Sequence, residues 1–242
     1  LAMSVENREF LQEVMRKEIK DRKIPISLGK TCPVKCTFCY EMDHSYRQTF
    51  DMPLTTQEDW DFILNEIIAF PTRATESWVL GGNEYMEWTD LALHPKAMEW
   101  IEEFLEKTDK NIIMFSVGYF DPKKINRLAE KYPGRINFEL SVITLGAYRK
   151  QLMPKGPSVN QVLEVLDGPA VTSANFYSFG PGTMSEDAKT IAKINTDCLL
   201  WMGTLTPLKY IDEKTTTLMR QGKRFLADES QKIYDMNLNN VQ

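Results

Sequence analysis

The sequence predicts an α/β fold in which parallel strands alternate with helices. Three observations predict it. Short apolar runs of strand length recur along the chain, segments with apolar residues at three/four spacing separate them, and cap or breaker residues mark the junctions. Six strands separated by helices imply parallel pairing through right-handed crossovers, which an open doubly wound sheet or a curled partial barrel would both satisfy. A length of 242 residues with no Pro/Gly/Ser linker, internal repeat or low-complexity stretch points to one domain.

The elements follow in order. Residues 4–21 read as an amphipathic helix with Phe10, Leu11, Val14, Met15 and Ile19 on its apolar side. A short strand over 24–28 ends at Gly29, and 32–53 is polar, aromatic and long for a connector. Thr55 with Glu58 forms a capping-box pattern before a helix carrying Ile63, Leu64, Ile67 and Ile68, which Pro71 stops. The second strand, 78–80, runs into Gly81-Gly82. Pro95 suits a first helical turn ahead of Met98, Ile101, Phe104 and Leu105. Then come a strand at 112–117, a helix capped by Asp121-Pro122 with Ile125, Leu128 and Ala129, and a strand at 136–143. Ser158 starts a helix through Val162, Leu163 and Leu166. A strand at 171–179, a helix at 185–194, a last strand at 198–205 and a helical segment near 212–235 complete the chain.

Composition bounds the function. Hydrophobic residues at 43% and charged residues at 26% describe a globular chain, one long enough to bury a core without covalent staples. The 29 Lys+Arg against 34 Asp+Glu, a net charge of −5, argue against a nucleic-acid partner, which needs a clustered cationic face. No run of eighteen apolar residues occurs, so no transmembrane helix is expected. Leu1 rather than Met opens the chain, consistent with a trimmed start, and the first twenty residues lack the apolar stretch of a secretory signal. A reducing, cytoplasmic compartment is the expectation. Four cysteines are too few for a disulfide scaffold, and three of them lie within eight residues.

Those three are Cys32, Cys36 and Cys39, spaced C-x3-C-x2-C on the loop after the first strand. Thiolates this close can share one ion or cluster, and soft sulfur selects zinc, Cu(I) or iron–sulfur over hard cations. Three ligands leave an iron–sulfur cluster with one open iron, whereas a structural zinc site is closed by four. His44 or Cys198 would be the fourth ligand in a zinc reading. Cys198 heads an apolar run and suits a buried, inert thiol, and His94 before Pro95 suits a helix-cap region better than a ligand. His44, Tyr46 and Arg47 sit in the loop after the thiols, where they could meet substrate or shield a cluster.

The triplet with Phe38 before its last cysteine resembles the C-x3-C-x-aromatic-C signature of the radical S-adenosylmethionine (radical SAM) superfamily. The resemblance implies a 4Fe–4S cluster held by Cys32, Cys36 and Cys39, with S-adenosylmethionine (SAM) on the open iron. One-electron reduction would cleave SAM to a 5′-deoxyadenosyl radical that abstracts hydrogen from a peptide or small-molecule substrate. An electron donor of flavodoxin or ferredoxin type is implied as partner. Phe38 is similar to the aromatic near adenine. Gly81, Gly82, Asn83 and Glu84 look like the family's Gly-Gly-Glu element at the SAM amino group, with Asn83 inserted. Ser141, sharing a strand face with Glu139, is similar to the serine that meets the ribose, and Arg149 resembles the basic residue at the SAM carboxylate. Gly203 resembles the glycine of the family's last, loose motif near adenine.

The resemblance covers about 24–205 and implies a partial (β/α)6 TIM-like barrel, with 206–242 as a C-terminal extension. Its active site would lie at the C-terminal ends of the strands. With three cysteines committed, Cys198 alone cannot build a second cluster. The competing class is a non-catalytic iron–sulfur or zinc-stabilised binding module.

Overall fold

A computed structural model describes residues 5–29, 32–39, 53–71, 76–81, 90–207, 211–236 and 238. Six parallel strands form one sheet: β1 (Lys23–Ile24), β2 (Ser77–Leu80), β3 (Asn111–Ser116), β4 (Ile136–Ile143), β5 (Val171–Tyr177) and β6 (Leu199–Gly203). Their order in the sheet is their order in the chain. A doubly wound sheet reverses direction at a switch point; this one never does. The helices are α1 (Val5–Lys20), α2 (Gln57–Ala69), α3 (Ala97–Lys107), α4 (Pro122–Lys131), α5 (Arg149–Leu152), α6 (Val159–Leu166), α7 (Thr183–Ile194) and α8 (Glu213–Asp235). Apart from the single-turn α5, each touches the next, α1 on α2 through to α7 on α8. The helices therefore form one continuous outer layer, and the fold is an α/β partial barrel. Among the described residues no helix is long and apolar enough to cross a membrane.

Strand alternation divides the sheet into two faces. Trp78, Leu80, Ile112, Met114, Phe138, Leu140, Val142, Ala174, Phe176 and Leu200 are buried toward the helices. The alternate residues Val79, Ile113, Phe115, Asn137, Glu139, Ser141, Asn175 and Tyr177 are half-buried on the concave inner face, and Leu199 and Trp201 at the open edge are exposed. Between α2 and α3, Trp60 stacks on Trp100 with ring centroids 5.2 Å apart, and each indole N–H reaches a side chain of the other helix, Glu103 and Gln57.

Several boundaries differ from the sequence pattern for identifiable reasons. The first strand pairs only through Ile24, because Pro25 offers no N–H to the ladder. Beyond it Ser27 pairs instead with Thr55, N–H to Oγ1 at 2.7 Å and carbonyl to N–H at 3.1 Å. That commits Thr55, so Thr56 becomes the N-cap of α2 and its capping-box partner is Asp59 rather than Glu58. Helix α3 starts at Ala97, two residues after Pro95. Phe10 and Ile68, placed on apolar stripes by spacing, are 46% and 47% exposed. The caps Asp121 and Ser158 stand where the sequence puts them.

Helix α8 is fastened to the barrel by two devices. The N-cap of α7, Gly182, has φ +79° and no capping side chain of its own. Glu229 of α8 supplies it, accepting from Gly182 N–H at 2.8 Å and from Ser185 N–H and Oγ at 2.9 Å. Second, Gly222 lies against the turn after β5, where an added Cβ would fall 1.7 Å from the Ser178 carbonyl oxygen. Main chain cannot yield as a flexible side chain can. Gly222→Ala is therefore expected to cost about 2–3 kcal/mol through overpacking, lowering Tm by roughly 5–10 °C in a calorimetric scan. A Tm within a degree of wild type would show that α8 can move off the turn freely.

Candidate functional site

The cysteine loop leaves the C-terminal end of β1, at the same end of the barrel as the turns that follow β3, β4 and β5. Lys35 enters the left-handed region at φ +52°, and the Cys39 N–H closes a turn on the Cys36 carbonyl at 3.2 Å. None of the four cysteines is in a disulfide, and the three in the loop are half-buried. Beneath them lies an apolar nest of Ile143, Leu152, Met153, Phe179 and Leu218, against which Cys36 and Phe38 pack. Burial pushes the Cys36 thiol well above the usual range, and the neighbouring Cys39, Cys32 and Asp90 charges add to the effect. The thiols thus feel one another. As placed, their atoms do not form a metal-ready group among the described residues; the donor set itself, three thiols on one short loop, suits a soft metal centre.

Arg149 lies behind the loop, only 5% exposed, so it is not a solvated loop residue. Its Nε donates to the Pro157 carbonyl, and its Nη1 to the carbonyls of Val142 and Thr144 at the end of β4. Its Nη2 is buried with no hydrogen-bond partner. Burial lowers its pKa to about 10, opposed by the nearby acidic groups Cys36, Asp187 and Tyr119. A buried guanidinium N–H left unpaired is costly unless an anion completes it. Lys150, next to it, is exposed.

Asp90 closes the adjacent turn. It is buried and accepts from Ser116 Oγ, Val117 N–H and Ala92 N–H at 3.0, 2.9 and 3.1 Å. Burial raises its carboxyl to about 6 although those hydrogen bonds oppose the rise.

On the concave face Glu139 and Ser141 point the same way along β4, as their alternation implies. Glu139 accepts a hydrogen bond from Asn175 of β5, and Ser141 stands opposite Asn175 in register. Asn175 was not singled out by the sequence, although its place on the polar face of β5 is a usable signal. Gly81 has φ +72°, and an added Cβ would meet Leu91 Cδ1 at 2.2 Å. That explains the glycine by backbone conformation and packing. Gly82, Asn83 and Glu84, together with His44, Tyr46 and Arg47, lie outside the described residues.

Of the two fourth-ligand candidates in a zinc reading, His44 and Cys198, Cys198 is the one among the described residues. Cys198 is fully buried just before β6, so parallel pairing puts it at the end of the barrel opposite the cysteine loop. Burial pushes its thiol up to about 12. His94 uses both ring nitrogens: Nδ1 accepts from Lys96 N–H at 3.1 Å and Nε2 donates to the Thr55 carbonyl at 3.2 Å.

No protein-family model and no curated protein matches the chain. Among solved structures, it is similar to coproporphyrinogen III oxidase (HemN) from Escherichia coli, described as a radical SAM enzyme, with a TM-score of 0.47 and 14% identity. The match covers 93% of this chain and 54% of that one, so this chain spans about half the length of that structure.

Proposed function

We propose that the chain is a radical SAM enzyme, a catalytic domain with its barrel core over about 24–205 and an extension over 206–242. The observation that carries this reading is the C-x3-C-x2-C triplet at the C-terminal mouth of a six-stranded parallel partial barrel. Cys32, Cys36 and Cys39 would hold a 4Fe–4S cluster, which when reduced supplies the electron that cleaves bound SAM and starts hydrogen abstraction from substrate.

The chain's own residues bind, orient and exclude water. The apolar nest under Cys36 and Phe38 keeps water from the inner side of the thiol loop. The unpaired Nη2 of Arg149 is a donor suited to a carboxylate, while its other nitrogens hold the end of β4 in place. The Glu139–Asn175 pair and Ser141 offer hydrogen-bond partners to hydroxyl or amino groups on the concave face. Phe38, Gly81, Gly82, Asn83 and Glu84 are the further candidate SAM contacts. Substrate, a peptide or small molecule, would enter from the open side of the barrel. A flavodoxin- or ferredoxin-type protein in the cytoplasm would be the electron donor.

The test is anaerobic reconstitution with iron and sulfide, followed by dithionite and SAM. Release of 5′-deoxyadenosine by brown, cluster-loaded protein is the expected result. Iron-loaded protein that yields none with any reductant, or purified protein carrying one zinc and no iron, would sink the proposal.

A further inference from the structure

We infer that the C-terminal helix α8 belongs to the thiol site, and that Thr215 in its first turn is a positioning residue for the cysteine loop. The purpose given to this contact rests on the cluster reading above; its geometry does not. Thr37, between Cys36 and Cys39, is held on two sides. Its N–H donates to the Leu152 carbonyl of α5 at 2.8 Å, and its hydroxyl lies 3.1 Å from that of Thr215. The Thr215 hydroxyl also lies 2.7 Å from Asp212 Oδ2. Each hydroxyl has one proton, and a carboxylate can only accept. Thr215 therefore donates to Asp212 and accepts from Thr37, whose one hydroxyl proton goes to Thr215 at 3.1 Å in preference to the Leu152 carbonyl at 3.4 Å.

The far end of that chain is rigid. Asp212 is the N-cap of α8, its Oδ1 accepting from Thr215 N–H at 2.9 Å. Thr215 itself is 1% exposed, so water does not compete for its hydroxyl. Glu229 and Gly222 lock α8 to α7 and to the turn after β5. Leu218, one turn beyond Thr215, packs in the nest that receives Cys36 and Phe38. A helix fixed at three points thus delivers one hydroxyl to the middle of the thiol triplet. Residues 32–39 form turns without helix or strand, and their hold on a cluster depends on how far the thiols are ordered beforehand.

Wild type, Thr215→Val and Thr215→Ser are compared after anaerobic reconstitution. Valine keeps the shape and leaves the Asp212 cap on the Thr215 N–H; serine keeps the hydroxyl. Two readouts are followed: the rate at which a ferrous chelator strips iron, and hydrogen exchange of the Thr37 amide in the metal-free chains. Thr215→Val is expected to lose iron about fivefold faster and to exchange Thr37 about fivefold faster, the factor set by one buried hydrogen bond. Thr215→Ser is expected to restore both rates. Equal iron loss in wild type and Thr215→Val overturns the inference, whatever happens to Tm. If wild type takes up no iron, the functional reading fails on its own, and exchange at Thr37 decides this one. Faster exchange in Thr215→Val then upholds Thr215 as the anchor of the thiol loop, and unchanged exchange overturns it.

Discussion

A Cys36→Ala chain taken through the same reconstitution releases no 5′-deoxyadenosine above background and binds little iron. Cys36 is the middle thiol, and it alone of the three packs into the apolar nest with Phe38. Two thiolates cannot hold the three irons that a three-cysteine site anchors. Alanine fits the nest without strain, and the lost sulfur contact costs only about 1 kcal/mol, so the variant stays folded and the loss is chemical. The matched control is Cys198→Ala, at the opposite end of the barrel, which is expected to keep both iron and turnover. A Cys36→Ala chain with wild-type turnover would remove the triplet from the mechanism. Equal iron loss in the two variants would show that the cysteines act through the fold and not as ligands.

The second large effect concerns stability. Glu229→Ala is expected to destabilise the chain by about 3–4 kcal/mol, since it orphans the buried N–H and hydroxyl of Ser185 and the half-buried N–H of Gly182 at the start of α7. That corresponds to a fall in Tm of roughly 7–14 °C for a chain of this size. The contribution depends on pH with a definite sign. Burial alone would raise the Glu229 carboxyl, but hydrogen bonds from Lys232, Ser185 and Gly182 outweigh it and hold the pKa at about 2. A depressed carboxyl contributes its full stability above its unfolded pKa of about 4.3 and loses it as pH falls toward the folded value. Urea melts of wild type and Glu229→Gln at neutral pH, pH 4 and pH 2.5 isolate this group from other carboxylates. The gap between them should be largest at neutral pH and shrink in acid. A gap that is absent at neutral pH, or constant across the series, would show that the carboxylate charge is not what caps α7.

How much of this was legible in the sequence follows from what each feature is made of. The caps Asp121 and Ser158 were readable because side chain and recipient N–H lie within three residues. The cap of α2 was not, because Thr55-x-x-Glu58 and Thr56-x-x-Asp59 are both plausible, and a distant residue, Ser27, decides between them. The polar face of β4 was legible from its alternation. Its contact with Asn175 depends on how β5 registers against β4, where the ladder is irregular. Arg149 could be singled out as a basic residue after the strand. That three of its partners are main-chain carbonyls has no signature in residue type, because every residue carries that group. The thiol triplet was the most legible feature of all, since metal-ligand spacing is local by nature.

By itself the sequence determined the alternation of strands and helices, the identity and spacing of the three thiols, and the composition that bounds the partners. These are short-range properties, set by side-chain chemistry within a turn or two of backbone. The tertiary structure alone decided that the strands run in chain order and so curl into a partial barrel. It also decided that Cys198 stands at the far end from the other three cysteines, and that α8 reaches back to Thr37. The contact between Thr37 and Thr215 spans 178 positions in the chain. Nothing in either residue's neighbourhood encodes its partner; packing of α8 against α7 and the β5 turn brings them together.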